Sequence, residues 1–71
     1  MYPNPKHYSM IIHWDNNDQI YVVSVPELPG CMTHDKTYEE AVKQGQEAIE
    51  SWITSAIADG VPIPPPDIVA A

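Results

Sequence analysis

The chain has 71 residues, with ten acidic side chains against three basic ones (Lys6, Lys36 and Lys43) and no arginine, for a formal net charge of −7. That length holds one domain with a marginal core, and the charge excludes unaided binding of nucleic acid, which rests on Lys and Arg against phosphates, while favouring a basic protein partner. Cys31 is the only cysteine, no apolar run approaches the roughly 18 residues of a membrane span, and the N-terminus lacks the basic-then-apolar pattern of a signal peptide, so a cytoplasmic protein without an intrachain disulfide is expected.

Residues 6–14 alternate in polarity. Tyr8, Met10, Ile12 and Trp14 fall on one face and His7, Ser9, Ile11 and His13 on the other, a period of two that predicts a first strand. Asp15-Asn16-Asn17-Asp18 is turn chemistry. Residues 19–26 are rich in β-branched and aromatic side chains and predict a second strand. A four-residue loop sets Trp14 opposite Gln19, Ile12 opposite Tyr21, Met10 opposite Val23 and Tyr8 opposite Val25. One face becomes a core, and a one-residue slip mixes the faces. The other face keeps Ile11, Ile20 and Val22 as an apolar patch, with His13 beside them. Pro26-Glu27-Leu28-Pro29-Gly30 then forces a rigid, sharp connection into a short third strand at residues 31–34.

The helix signal covers residues 37–59. Thr37 followed by Glu40 is a capping box. Ala41, Val42, Gly45, Ala48, Ile49, Trp52, Ile53, Ala56 and Ile57 recur at the three-and-four spacing of one helix face, and Gly60 stands where a helix-ending glycine belongs. Gly45 costs about 1 kcal/mol relative to alanine in a helix, and close approach to the sheet is the reason expected for it. The outer face carries Glu39, Glu40, Glu47, Glu50 and Asp59, with Lys43 the single offset. Residues 61–71 hold four prolines and predict an extended arm. The expectation is one α+β domain over residues 1–71: a three-stranded antiparallel sheet with one long helix on one face, then a proline-rich arm.

Catalytic groupings are not apparent. His7 and His13 are six residues apart on one predicted strand, about 20 Å, too far to share a metal ion. Cys31 and His34 fall on opposite faces. Cys31, His34 and Asp35 are the residue types of a nucleophilic set, but neighbours on one strand end do not converge in the required order. No glycine-rich phosphate loop is present. No metal, cofactor or enzymatic activity is expected, and the remaining candidates are surfaces. Glu39, Glu40, Glu47 and Glu50 are the candidate partner-binding residues. Ile11, His13, Ile20 and Val22 are the candidate self-association residues. A homodimer or larger oligomer follows, because a domain of this size without disulfide or metal draws stability from association; charging of His13 on acidification would weaken it.

Tyr21-Val22-Val23-Ser24-Val25-Pro26-Glu27-Leu28-Pro29-Gly30-Cys31 resembles the hallmark of the HicB-like antitoxin family, a strand ending in a Pro-acidic-Leu-Pro-Gly-Cys turn. Thr33 to Ala41 resembles that family's next strand and its Asp-x-Thr-x-Glu-Glu-Ala helix start. Ala48-Ile49-Glu50-Ser51-Trp52 and Gly60-Val61-Pro62-Ile63-Pro64 resemble its helix end and its exit. The resemblance implies a partial RNase H-like fold and pairing with HicA, a small basic toxin that cleaves RNA and is neutralised by occlusion. Full antitoxins of the family also carry a C-terminal operator-binding domain. None is legible in these residues, so a stand-alone protein-binding module is expected. Asp15 is one acid near the place of an RNase H carboxylate, without companions, so no nuclease activity is expected. The alternative is an orphan, self-assembling HicB-like domain with a regulatory or ligand-binding role and no toxin partner.

Overall fold

Asp15 decides where the first hairpin turns. Its carboxylate Oδ1 accepts hydrogen bonds from the backbone N–H of Asn17 (2.9 Å) and Asp18 (3.2 Å). Its carbonyl accepts from Gln19 N–H at 2.8 Å, and Gln19 closes the loop with a φ of +57°. An aspartate that satisfies the amides of the residues after it is a turn initiator. The loop is therefore Asn16–Gln19, one position later than expected. In the computed structural model, which describes residues 4–66, β1 runs Ile11–Asp15, β2 Ile20–Ser24, β3 Met32–Asp35 and α1 Tyr38–Asp59.

The three strands pair antiparallel in the order β1-β2-β3. Trp14 pairs with Tyr21 and Ile12 with Val23, two residues away from the expected register. A two-residue slip preserves the alternation, so Ile12, Trp14, Tyr21 and Val23 still share a face. The observed register gains a cross-strand aromatic pair: Trp14 and Tyr21 meet edge to face at 4.9 Å, and Tyr21 meets Tyr38 of α1 at 4.3 Å. The expected start of the first strand at residue 6 is not borne out. Pro5–His7 is a single 3-10 turn capped by the Asn4 side chain, because a proline at its start fixes the helical φ. His7 is thus not on the sheet. Tyr8 still reaches the core, 6% exposed.

Helix α1 begins at a Thr37 cap, whose Oγ1 accepts from Glu40 N–H at 3.2 Å. It ends at Gly60 in the left-handed region (φ 69°), where Gly60 N–H bonds Ile57 and Val61 N–H bonds Ala56, a Schellman closure. The helix lies across β2 and β3 and buries Ala41, Gly45, Ile49, Ile53 and Ala56. Val42 and Ile57, expected on this stripe, are exposed; Ile57 falls at the margin of the stripe, and Val42 lies in the first turns of the helix. A Cβ on Gly45 would overlap Met10 Sδ and stand 3.1 Å from Val23 Cγ1. The helix backbone therefore sits directly on the sheet.

The Pro26–Gly30 connection is two successive tight turns. Leu28 N–H bonds Val25, Cys31 N–H bonds Leu28, and Val25 N–H bonds Cys31. This geometry drives Leu28 into the core at 1% exposure. Glu27 accepts from Ser9 N–H and Ser9 Oγ at 3.1 Å, tying the connection to the approach of β1. After the helix, Ile63 packs on the core and the Tyr8 hydroxyl donates to the Pro64 carbonyl. Burial, and after it the Glu27 charge, push the Tyr8 hydroxyl pKa up. The last part of the expected arm, residues 67–71, lies outside the described residues.

Two stability predictions follow from this packing. Gly45→Ala should lower the urea midpoint despite the better helix propensity. Overpacking costs about 1–3 kcal/mol against a gain of about 1 kcal/mol, and the fully buried Val23 cannot give way. In a Met10→Ala background the penalty should shrink. Trp52 is half-buried rather than buried, with its indole N–H donating to Pro29 O at 3.0 Å. Leu28→Ala should therefore cost more, about 2–5 kcal/mol, than Trp52→Phe, which loses one hydrogen bond worth about 1 kcal/mol. Equal losses in denaturant melts would contradict the assignment.

Candidate functional site

The pairing register fixes which side chains stand on the sheet face away from the helix. Ile11, His13 and Asp15 of β1 pair with Ser24, Val22 and Ile20 of β2, and Val22 and Ser24 pair with His34 and Met32 of β3. Directly opposed residues share a face. The four expected self-association residues therefore stand together. Ile11 and His13 are exposed, and Ile20 and Val22 half-buried. Met32, 63% exposed, and His34 join them. Neither was among the expected self-association residues, although period two carried along the short third strand points to them.

His13, Val22 and His34 form one row across the three strands. The imidazoles stand two strands apart, about 10 Å. A shallow groove of about 510 Å³ runs past Ile20, Val22, Met32 and His34. Among the described residues no three His, Cys, Asp or Glu side chains gather as metal ligands would.

The candidate partner-binding acids Glu39, Glu40, Glu47 and Glu50 are all exposed on α1. At 3.6 residues per turn they divide into two rows. Glu40 and Glu47, seven apart, share one side. Glu39 and Glu50, eleven apart, share another. Lys43 lies between the rows, one helical turn from Glu39, Glu40 and Glu47, and offsets part of their charge. The helix thus presents acids on its outer surface, while the opposite side of the molecule presents Asp15 as the single carboxylate of the paired array.

Cys31, His34 and Asp35 do not stand together as one set. Cys31 is a free, buried thiol, and burial raises its pKa, which disfavours the thiolate that nucleophilic chemistry requires. His34 points to the opposite face of the sheet from Thr33 and the helix. Asp35 accepts from Lys36 N–H at 2.7 Å and Asp15 is committed to its turn. A second, open cleft of about 460 Å³ lies between the start of β3 and the C-terminal half of α1, walled by Cys31, Ala48, Trp52 and Ala56. No helix among the described residues is long and apolar enough to cross a membrane.

Known proteins share much of this sequence. A UPF0150 protein of Thermoplasma acidophilum is 50% identical over 48 residues, 68% of each chain. A UPF0150 protein of Synechocystis is 41% identical over 49 residues, 69% of this chain and 62% of its own. An uncharacterized 14.9 kDa protein of Haemophilus phage HP1 is 41% identical over 44 residues, 62% of this chain and 33% of its own. No solved structure matches. The family model for the HicB-like antitoxin of bacterial toxin–antitoxin systems matches residues 8–71, from the buried Tyr8 through the Pro-Glu-Leu-Pro-Gly-Cys turn and the helix, and the chain belongs to that family.

Proposed function

We propose that this protein is a non-catalytic antitoxin module that neutralises a small basic RNA-cleaving toxin of the HicA type by covering it. Family membership supports a role in a toxin–antitoxin system. The observation that carries the finer reading is the solvent-facing acidic surface of α1, on a chain of net charge −7 without arginine. Such a surface steers a basic protein toward itself and orients it. The toxin's phosphate-binding surface is basic by necessity, so covering that surface blocks RNA access without any chemistry by the antitoxin. In this reading the β-β-β-α unit is the antiparallel portion of an RNase H-like fold kept as a scaffold.

Self-association belongs to the same reading. Ile11 is 53% exposed and Met32 63%, on a face whose groove carries two carboxylates, Asp15 and Asp18, at its hairpin end. This is the side on which a second copy of an acidic chain approaches with least repulsion. Ile11, His13, Ile20 and Val22 are its proposed contact residues. The described part of the arm does not cover it, because Ile63 and Pro64 pack on the helix side against Tyr8. Two copies joined here leave both acidic helix surfaces free.

The first test is purification of the basic protein encoded beside this one and measurement of its RNA cleavage. Cleavage should fall on addition of the antitoxin. The double substitution Glu40→Lys/Glu47→Lys should weaken binding at least about tenfold, reversing two close charge pairs each worth roughly 1 kcal/mol or more. Unchanged affinity would remove the acidic helix from the mechanism, and a neighbour that cleaves no RNA would favour the orphan alternative. The second test is light scattering, which should return at least twice the monomer mass of 7.9 kDa. Val22→Glu should reduce it to the monomer mass. A parent protein at 7.9 kDa ends the dimer reading.

A further inference from the structure

We infer that the cleft between the start of β3 and the C-terminal half of α1 is a socket for one long cationic side chain, an arginine before a lysine, presented by a basic protein partner. The inference rests on the proposal that the partner is basic, and it adds the anchor point.

The cleft has a two-part chemistry suited to such a side chain. Its walls are apolar: Cys31, Ala48 and Ala56, with Trp52 alongside. The Trp52 indole N–H is held by Pro29 O at 3.0 Å, so the ring is fixed as one wall. Its outer lip is polar, with Ser51, Ser55 and Asp59 lining it. These three are spaced by four residues and form one ridge along the helix. Glu47, four residues before Ser51, begins the same ridge. The ridge therefore reads carboxylate, hydroxyl, hydroxyl, carboxylate over about 18 Å, and its last three residues line the cleft. An aliphatic stem lies along the walls while its charged head reaches the lip, as long basic side chains do at apolar surfaces.

Electrostatics supplies the second, independent argument. A helix C-terminus is the negative end of the backbone dipole and attracts cations. The last turn of α1 carries Asp59 and no basic residue. The carboxylate is at the end where it is least favoured, and none of Lys6, Lys36 and Lys43 lines the cleft to offset it. A cation brought by a partner satisfies the carboxylate and the dipole together. The Trp52 ring favours a guanidinium over an ammonium, because the planar group stacks on an aromatic face and is more weakly hydrated. The small side chains Ala48, Ser51, Ser55 and Ala56 leave room for it. The cleft is continuous with the Glu40–Glu47 row, so one partner surface reaches both.

The test is a nitrogen–proton correlation titration of the full chain with the peptide acetyl-(Arg-Ala)3-amide. The lysine and glutamate counterparts are run beside it. The Trp52 indole signal and the amides of Cys31, Ser51 and Ser55 should shift saturably, more tightly for arginine than for lysine and not for glutamate. Asp59→Asn should weaken binding about fivefold, the scale of one partly exposed ion pair. Ser55→Phe, which fills the cleft at an exposed position without changing charge, should abolish the Trp52 shift. Shifts confined to Glu39, Glu40, Glu47 and Glu50, with both variants binding as the parent does, would overturn the socket while leaving the acidic-surface reading intact. Equal shifts with the glutamate peptide would overturn the cationic specificity. The absence of any shift would overturn the socket, and the acidic-surface reading would still stand or fall on the Glu40→Lys/Glu47→Lys assay.

Discussion

The close contact of α1 with the sheet at Gly45 sets the rest of the architecture. With no Cβ at that position, the helix backbone comes down onto Val23 and Met10. Val23 and Ala41 are fully buried and Ile49 and Ile53 nearly so. A three-stranded sheet and one helix provide little interior, and burial at roughly 25 cal/mol per Å² of apolar surface counts only when that surface is removed from water. A side chain at position 45 lifts the helix from the sheet and hydrates the contacts on either side. The cost of a mid-helix glycine is offset by the close helix–sheet contact it permits.

The core is closed at its other end by the connection between β2 and β3. Two tight turns deliver Leu28 beneath the helix, and the rigid prolines on either side reduce the entropy lost in holding it there. Glu27 holds Ser9, Trp52 holds Pro29, and Tyr8 holds Pro64. The Trp52 bond fastens the β2–β3 connection to the helix, and the other two join segments outside regular secondary structure to one another. A chain too short for many layers thereby orders its connections with side-chain to backbone bonds.

The same arrangement sorts the molecule's charge. With one face of the sheet occupied by the helix, carboxylates on the helix's outer rows are held far from the opposite face of the sheet. One side carries the helix acids, and the other an exposed isoleucine and methionine and two histidines, with Asp15 and Asp18 at its hairpin end. An acidic surface steers opposite charges toward itself. The proposed assignment of toxin binding to the helix and self-association to the sheet rests on that separation.

Local patterns determined the element types, the apolar sides and the ends of the helix. Period two, the Thr37 cap, the glycine at position 60 and the three-and-four stripe are short-range properties and are visible without a fold. The acidic residues of α1 were legible for the same reason. Register was not, because a two-residue slip leaves both faces unchanged; it was decided by the Asp15 carboxylate capping the turn amides and by the Trp14–Tyr21 pair. The start of β1 was not either, since a 3-10 turn can continue the alternation of a strand without pairing. Met32 and His34 became part of the open face only once β3 was paired with β2. The cleft beside Trp52 depends on the distance between the β2–β3 connection and the end of the helix, segments more than twenty residues apart. The sequence by itself thus determined what each segment is and which side of it is apolar. Tertiary structure alone decided which segments meet, because that depends on packing and hydrogen bonds between residues that no local pattern relates.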